Sequence, residues 1–107
     1  KWALRGMINV IIDQEIHTQN MSKAEAIELM VTEGFQELSE AEGKWIRAQL
    51  TFCQLSTYYA GTIKMWNLRR QIEQKEGENF DLRSFHDRLL SHGSISIKFL
   101  SDILLDM

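Results

Sequence analysis

Hydrophobic residues recur along this chain at spacings of three and four, which is the period of an amphipathic α-helix. The first such stretch runs from Trp2 to about Gln19 and carries the apolar positions Leu4, Ile8, Ile11, Ile12 and Ile16. β-branched residues never alternate with polar ones for long, and the chain contains no proline to interrupt a helix. The pattern therefore predicts an all-α fold.

Two serines mark predicted helix starts. Ser22 precedes Glu25, and Ser39 precedes Glu42, by the three residues of a capping box, in which each side chain bonds the other's backbone N–H. Residues that suit a helix end follow several apolar stretches; they are Asn20, Gly34, Gly77 and Gly93. The helix after Ser39 is expected to carry Trp45, Ile46, Leu50 and Phe52 as its apolar residues.

The longest predicted helix extends from about Gln54 to Glu76. It contains Gly61, and a glycine inside a helix usually marks close backbone packing. Asp81 is predicted to cap a short helix, and Ser94 or Ser96 to open the last one. Six helices with short connections predict a compact helical bundle, with residues 1–107 forming a single segment.

Composition narrows the class of protein. A length of 107 residues permits one domain, and 44% hydrophobic with 25% charged residues is typical of a folded globular protein. The net charge of −3 gives no basic surface for nucleic acid. No apolar run approaches the roughly 20 residues that cross a membrane. The single cysteine, Cys53, lies in an apolar stretch and is predicted to be a small buried hydrophobe.

The chain begins with Lys1 rather than methionine, so we expect it to be the C-terminal piece of a larger protein. Its localisation, cytoplasmic or exported, then depends on the missing N-terminus. Three tryptophans, five phenylalanines and five methionines are many large apolar residues for such a chain. Because a segment cut from a larger domain exposes a former interface, we predict that the isolated chain self-associates.

Asp13 and His17 are four residues apart in the first predicted helix, so they share a face, in a row with Arg5 and Asn9. A carboxylate beside an imidazole can orient the ring and raise its basicity. The same pair can help to bind a metal ion, or can form a hydrogen-bond network with no chemistry of its own. The chain lacks the HExxH and CxxC motifs of zinc sites, so no metal ligand is assigned in it.

Tyr58 and Tyr59 lie in the longest predicted helix, just before Gly61. A tyrosine hydroxyl can donate a hydrogen bond to a developing oxyanion. Aromatic residues on a long helix are, however, usually part of the core, and their hydroxyl then finds a single partner. The helical pattern alone favours the core interpretation.

Several motifs follow one another in the order of a known family. Asp13–His17 and then Met21–Ile27 are similar to its D-x-G-I-H and W-T-x-E-Q-A motifs, and Ser56–Gly61 with Lys64 is similar to Y-x-x-G-x-x-K. Gly77–His86 is similar to G-x-x-F-D-L-x-x-F-H, and Leu89–Ser94 to L-L-x-x-G-S. The chain thus resembles the C-terminal region of the bacterial family called Domain of Unknown Function 885.

The resemblance implies a helical metallopeptidase-like fold, related in outline to the gluzincins, and a zinc ion in the parent protein. The HExxH motif and a further glutamate ligand would lie upstream of this chain, which would supply one wall of the zinc cleft and no metal ligand. By position, Tyr58 would stabilise the oxyanion. Asp13 and His17 would line the cleft, where they bind substrate or support the groups that do.

Two functions from different classes are therefore expected. In the first, the parent protein is a zinc-dependent peptidase or related hydrolase acting on a peptide-like substrate, and this segment is inactive alone. In the alternative, the chain is a helical interaction or scaffold module without catalysis. In both, the first partner is the remainder of the parent chain.

Overall fold

Six α-helices and no β-strand make up residues 1–106, the part of the chain that the structure, a computed structural model, describes. The helices are α1 (Trp2–Thr18), α2 (Lys23–Glu28), α3 (Leu38–Leu50), α4 (Gln54–Glu76), α5 (Leu82–Ser91) and α6 (Ile97–Asp106). A π-helical turn, Leu29–Glu33, continues α2, and a 3-10 turn, Gly77–Asn79, follows α4. The all-α prediction is confirmed. Within these residues no helix is long and apolar enough to cross a bilayer.

Residues 1–60 form one compact unit, which contains α1, α2, α3 and the start of α4. Each of these elements contributes residues from one of its sides to a buried core, which consists of Ile8, Ile12, Ala26, Met30, Ala41, Ala48 and Leu55. The partly buried Trp45 packs against this cluster. The first helix therefore packs on the core through isoleucines, whereas α3 packs on it through two alanines and Trp45.

A second compact unit begins at Gly61 and contains the rest of α4 together with α5 and α6. Its buried cluster consists of Leu68, Ile72, Phe85, Leu100 and Leu104. An ion pair between Arg88 on α5 and Glu76 at the end of α4, 2.6 Å from Nη2 to Oε1, adds a polar contact between these two helices.

The capping box at the start of α2 is confirmed. The backbone N–H of Glu25 donates to Ser22 Oγ at 3.3 Å, and the backbone N–H of Ser22 donates to Glu25 Oε2 at 2.8 Å. The Ser22 hydroxyl also donates to Glu25 Oε2 at 2.6 Å. All of these bonds join residues three apart, which is why the sequence alone could predict them.

These hydrogen bonds make the stability of α2 depend on pH. The Ser22 hydroxyl, followed by the Ser22 backbone N–H, holds the pKa of Glu25 below its ordinary value of 4.5. A carboxylate whose pKa is lower in the folded chain stabilises it fully above 4.5, and the contribution is lost as pH falls through the lowered folded-state pKa. We expect Glu25→Gln to be less stable than wild type in urea unfolding at pH 7, with a smaller difference at pH 3. Glu28→Gln, as the control, should show no such trend.

The second predicted capping box, at Ser39, is wrong. Helix α3 begins one residue earlier, at Leu38, and the residue before it, Glu37, makes no side-chain capping bond. The helical ladder already starts with the Ala41 N–H donating to the Glu37 carbonyl at 3.0 Å. Just before the helix, the side-chain oxygen of the buried Gln36 accepts a 2.6 Å hydrogen bond from Lys44 Nζ on α3. This bond links the segment that enters α3 to the helix itself. The start of α3 is thus stabilised by a hydrogen bond between residues eight apart and not by the predicted capping box.

Of the four apolar residues expected on this helix, the partly buried Trp45 packs against the core, whereas the other three lie in solvent. Leu50 and Phe52 are 78% and 79% exposed, and Ile46 is also exposed. The buried positions of this helix are Ala41 and Ala48, seven residues apart and so on one face. The fully buried positions of α3 are thus two small residues, which a search for large apolar residues overlooks.

The predicted helix ends are mostly confirmed, by different means. Asn20, Gly77 and Gly93 adopt the left-handed backbone that suits such positions, with φ between 54° and 67°. Gly34 closes the π-helical turn with an ordinary φ of −89°, and it is the next residue, Phe35, that takes a left-handed φ of 51°.

The close packing expected at Gly61 is absent. A methyl group at that position would meet only Ile97 Cδ1, at 4.0 Å. The predicted start of the last helix holds, since α6 begins at Ile97 and the Leu100 N–H donates to the Ser96 carbonyl at 3.1 Å.

Candidate functional site

The carboxylate of Asp13 is buried, with 3% of the residue exposed, and holds the start of α4. Its Oδ1 accepts a hydrogen bond from the Cys53 backbone N–H at 3.2 Å. Its Oδ2 accepts two more from Ser56, at 3.1 Å from the backbone N–H and 2.8 Å from the hydroxyl. The first N–H groups of a helix have no partner within it, and a negative charge is favoured there. Asp13 therefore caps α4 from a different helix.

His17, one turn further along α1, binds the end of α3. Its Nε2 lies 2.9 Å from the Ala48 carbonyl oxygen and 2.9 Å from the Thr51 carbonyl oxygen. Since both neighbours can only accept, Nε2 carries the hydrogen and donates to them. The Phe52 ring lies against the imidazole, with 4.5 Å between ring centroids. His17 thereby satisfies carbonyl groups that the last turn of a helix leaves without partners.

Asp13 and His17 together form a clamp on the connection between α3 and α4. The histidine takes carbonyl oxygens at the end of one helix, and the aspartate takes N–H groups at the start of the next. The two side chains approach each other to 3.9 Å, between His17 Nε2 and Asp13 Oδ1. Of the interpretations open at the sequence level, this geometry matches the hydrogen-bond network.

The cysteine in this connection is not the buried hydrophobe that the sequence predicted. Cys53 is exposed and has a free thiol, and its backbone is left-handed with φ 57°. It stands immediately before the first residue of α4, where serine, threonine, aspartate or asparagine would cap the helix through its own side chain. Cys53 has no such acceptor, and the carboxylate of Asp13 on α1 accepts the hydrogen bonds in its place.

The two tyrosines of α4 occupy different environments. Tyr58 is 66% exposed. Tyr59 is partly buried against α1, so close that a methyl group on Gly6 would come within 3.2 Å of Tyr59 Cδ2. The expectation that an aromatic residue on this helix packs inward holds for Tyr59 and not for Tyr58. Tyr58 is the tyrosine presented to solvent, on the helix whose start Asp13 holds.

The polar row on α1 does not continue as one network toward its N-terminal end. Arg5 forms an ion pair with Glu40 on α3. Asn9, between Arg5 and Asp13, has a buried Oδ1 without a hydrogen-bond partner among residues 1–106. The residue that sequence reasoning missed is Ser56, and the signal for it was the absence of a capping side chain ahead of α4.

The residues described here do not fit a zinc site. Within residues 1–106, no group of three or more histidine, cysteine, aspartate or glutamate side chains is placed to hold a metal ion. Both oxygens of Asp13 accept hydrogen bonds, and Nε2 of His17 donates to carbonyl groups.

The chain is thus an all-helical segment in which a buried aspartate, Asp13, holds the start of the helix that carries the exposed Tyr58. The chain is a member of the family described as "Bacterial protein of unknown function (DUF885)", whose sequence profile matches residues 1–104. The resemblance drawn from the sequence motifs is confirmed. No match was found among curated proteins.

A solved structure is also similar. It is described as "a putative lipoprotein of unknown function from Shewanella oneidensis", and it is 42% identical to this chain with a TM-score of 0.92. The match covers 97% of this chain and 19% of that one. The chain thus spans about a fifth of the length of this relative.

Proposed function

We propose that this chain is the C-terminal helical part of a zinc-dependent peptidase or related hydrolase, and that Tyr58 acts in its substrate cleft. The observation that carries the proposal is the exposure of Tyr58 on a helix whose start is fixed by a buried aspartate. A hydrogen-bond donor stabilises a developing oxyanion best when its position is set before the reaction, so that no reorganisation is needed. The zinc ion would be held by residues outside this chain.

In this proposal the roles of the three predicted residues differ. The Tyr58 hydroxyl donates a hydrogen bond to the carbonyl oxygen of a peptide-like substrate as negative charge develops on it. Asp13 and His17 do not touch the substrate and act as positioning residues. They hold the α3–α4 connection, and through it the first turns of α4.

The test is made in the full-length protein that contains this segment. We expect it to bind zinc and to hydrolyse members of a library of internally quenched peptides. Tyr58→Phe removes only the hydroxyl and should lower kcat about a hundredfold or more, with the zinc content unchanged by atomic absorption. Tyr59→Phe is the matched control, because its ring packs on Gly6 and should keep kcat near wild type.

Two results would contradict this proposal. If the full-length protein binds no zinc, the proposal that it is a zinc-dependent hydrolase is wrong. A Tyr58→Phe variant that is as active as wild type would remove the role of Tyr58 and leave the class of enzyme open.

The alternative, a helical interaction module without catalysis, is favoured by a different observation. Large apolar side chains are exposed on several helices, including Trp2 at 86%, Leu50 and Leu90, and Phe52 is exposed between α3 and α4. A module that docks on a partner protein would cover side chains of this kind. A full-length protein without zinc and without peptide hydrolysis would favour this function over the first.

A further inference from the structure

Helix α1 presents a second apolar face besides the one in the core. Ile8 and Ile12 are buried in the core of the first unit. Leu4, Met7 and Ile11, spaced by three and four residues, lie on a neighbouring face and remain 38–42% exposed. We call these three residues the α1 stripe. Spacings of three and four are those with which one helix packs along another.

The charge distribution around the α1 stripe is unlike that of a helix face that remains in water. Arg5 is the one charged residue between Trp2 and Ile12, and its guanidinium is already paired with Glu40 on α3. Solvent-facing sides of helices normally carry charged and polar residues. The cores of protein interfaces are instead depleted of charge. The α1 stripe therefore has the composition of a covered surface.

The Shewanella oneidensis relative indicates what can cover it. That protein contains a segment of nearly identical fold, with a TM-score of 0.92. The segment makes up only 19% of that protein's chain. About four fifths of that protein thus lies outside the matched segment, which is enough chain to supply a helix that covers the α1 stripe.

We propose that in a full-length family member an apolar helix from outside this segment packs along the α1 stripe. The inference rests on the part of the proposed function that makes this chain a segment of a longer protein. It does not rest on zinc or on catalysis. Its test reads solvent access to one side chain, so its failure is distinguishable from failure of the hydrolase.

The test measures how fast a thiol in the stripe reacts with a maleimide. Met7→Cys is introduced into the isolated chain and into the full-length protein, both carrying Cys53→Ala so that the native thiol is silent. We expect labelling at least about tenfold slower in the full-length protein, because the thiol reacts only when the covering helix opens. Arg83→Cys, at an exposed position of α5, is the control and should label equally fast in both.

A second variant keeps the proposal testable where the labelled protein is unstable. Met7→Lys should lower the melting temperature of the full-length protein by several degrees more than that of the isolated chain, since only the former buries the charge. Gln74→Lys, at an exposed polar position of α4, is the control and should have a small effect in both.

Equal labelling of the Met7→Cys variant in the two proteins, together with equal melting shifts for Met7→Lys, would overturn the proposal. Protection that disappears when the full-length protein is diluted would also overturn it, because a second copy would then be the occupant. Protection that is independent of concentration supports the intramolecular helix.

Discussion

Gly34→Ala is expected to lower the free energy of unfolding by about 3 kcal/mol, the upper end for forcing one extra carbon into a packed interior. A Cβ atom at this position would lie 2.5 Å from the Met30 carbonyl oxygen and 2.8 Å from Ile8 Cδ1. It would also lie 2.9 Å from Gln36 Nε2. The first neighbour is backbone and cannot move aside without opening the turn, and the other two are the ends of buried side chains that would have to shift as well.

The cause of this effect is space and not backbone conformation. The φ of Gly34 is −89°, which any residue can adopt. A matched control is Gly43→Ala in the interior of α3, where an added methyl group meets nothing within 4 Å. That change should raise stability by about 1 kcal/mol, because alanine favours the helix. Urea unfolding followed by circular dichroism measures both. A Gly34→Ala variant as stable as wild type would show that the turn can open without cost.

Asp13→Ala is expected to cost about 3 kcal/mol, since it leaves two backbone N–H groups and a hydroxyl at the start of α4 without their acceptor. Asp13→Asn should recover little of this loss. Its amide group turns a donor toward N–H groups that need an acceptor. Asp87→Ala, at an exposed aspartate of α5, should change stability by less than about 0.5 kcal/mol.

A double-mutant cycle separates the Asp13–Ser56 bond from other consequences of removing the aspartate. Ser56→Ala should cost about 1 kcal/mol in the wild-type background and much less when Asp13 is already alanine. Hydrogen exchange gives a second readout, because the amides of Cys53 and Ser56 should exchange faster in Asp13→Ala. Additive single-mutant effects would mean that the bond from the Ser56 hydroxyl to the carboxylate does not stabilise the chain, and the backbone bonds would then carry the effect of Asp13.

How far the sequence predicted the fold depended on the distance between interacting residues. The α2 capping box joins Ser22 to Glu25 and was predicted correctly. The clamp joins Asp13 to Ser56, 43 positions away, and no local pattern encodes such a pairing. The sequence did place Asp13 and His17 on one helical face, because a spacing of four is itself local.

Two further differences have physical explanations. Helix α3 packs through Ala41, Ala48 and the partly buried Trp45, so Ile46 and Leu50 were the wrong guide to its buried side. Phe35 and Cys53 adopt left-handed backbone conformations that such residue types seldom take, whereas the same conformation at Asn20 suited the predicted helix end. Tyr58 could be singled out only through the family resemblance, because its helical position did not distinguish it from Tyr59.

The exposed thiol of Cys53 gives this chain a built-in reporter. It is the single cysteine among 107 residues, and its own backbone N–H is bound by Asp13. A nitroxide or fluorophore attached there would sit on the α3–α4 connection without any substitution elsewhere. Its mobility would therefore report how firmly that connection is held, in the isolated segment or in a longer chain.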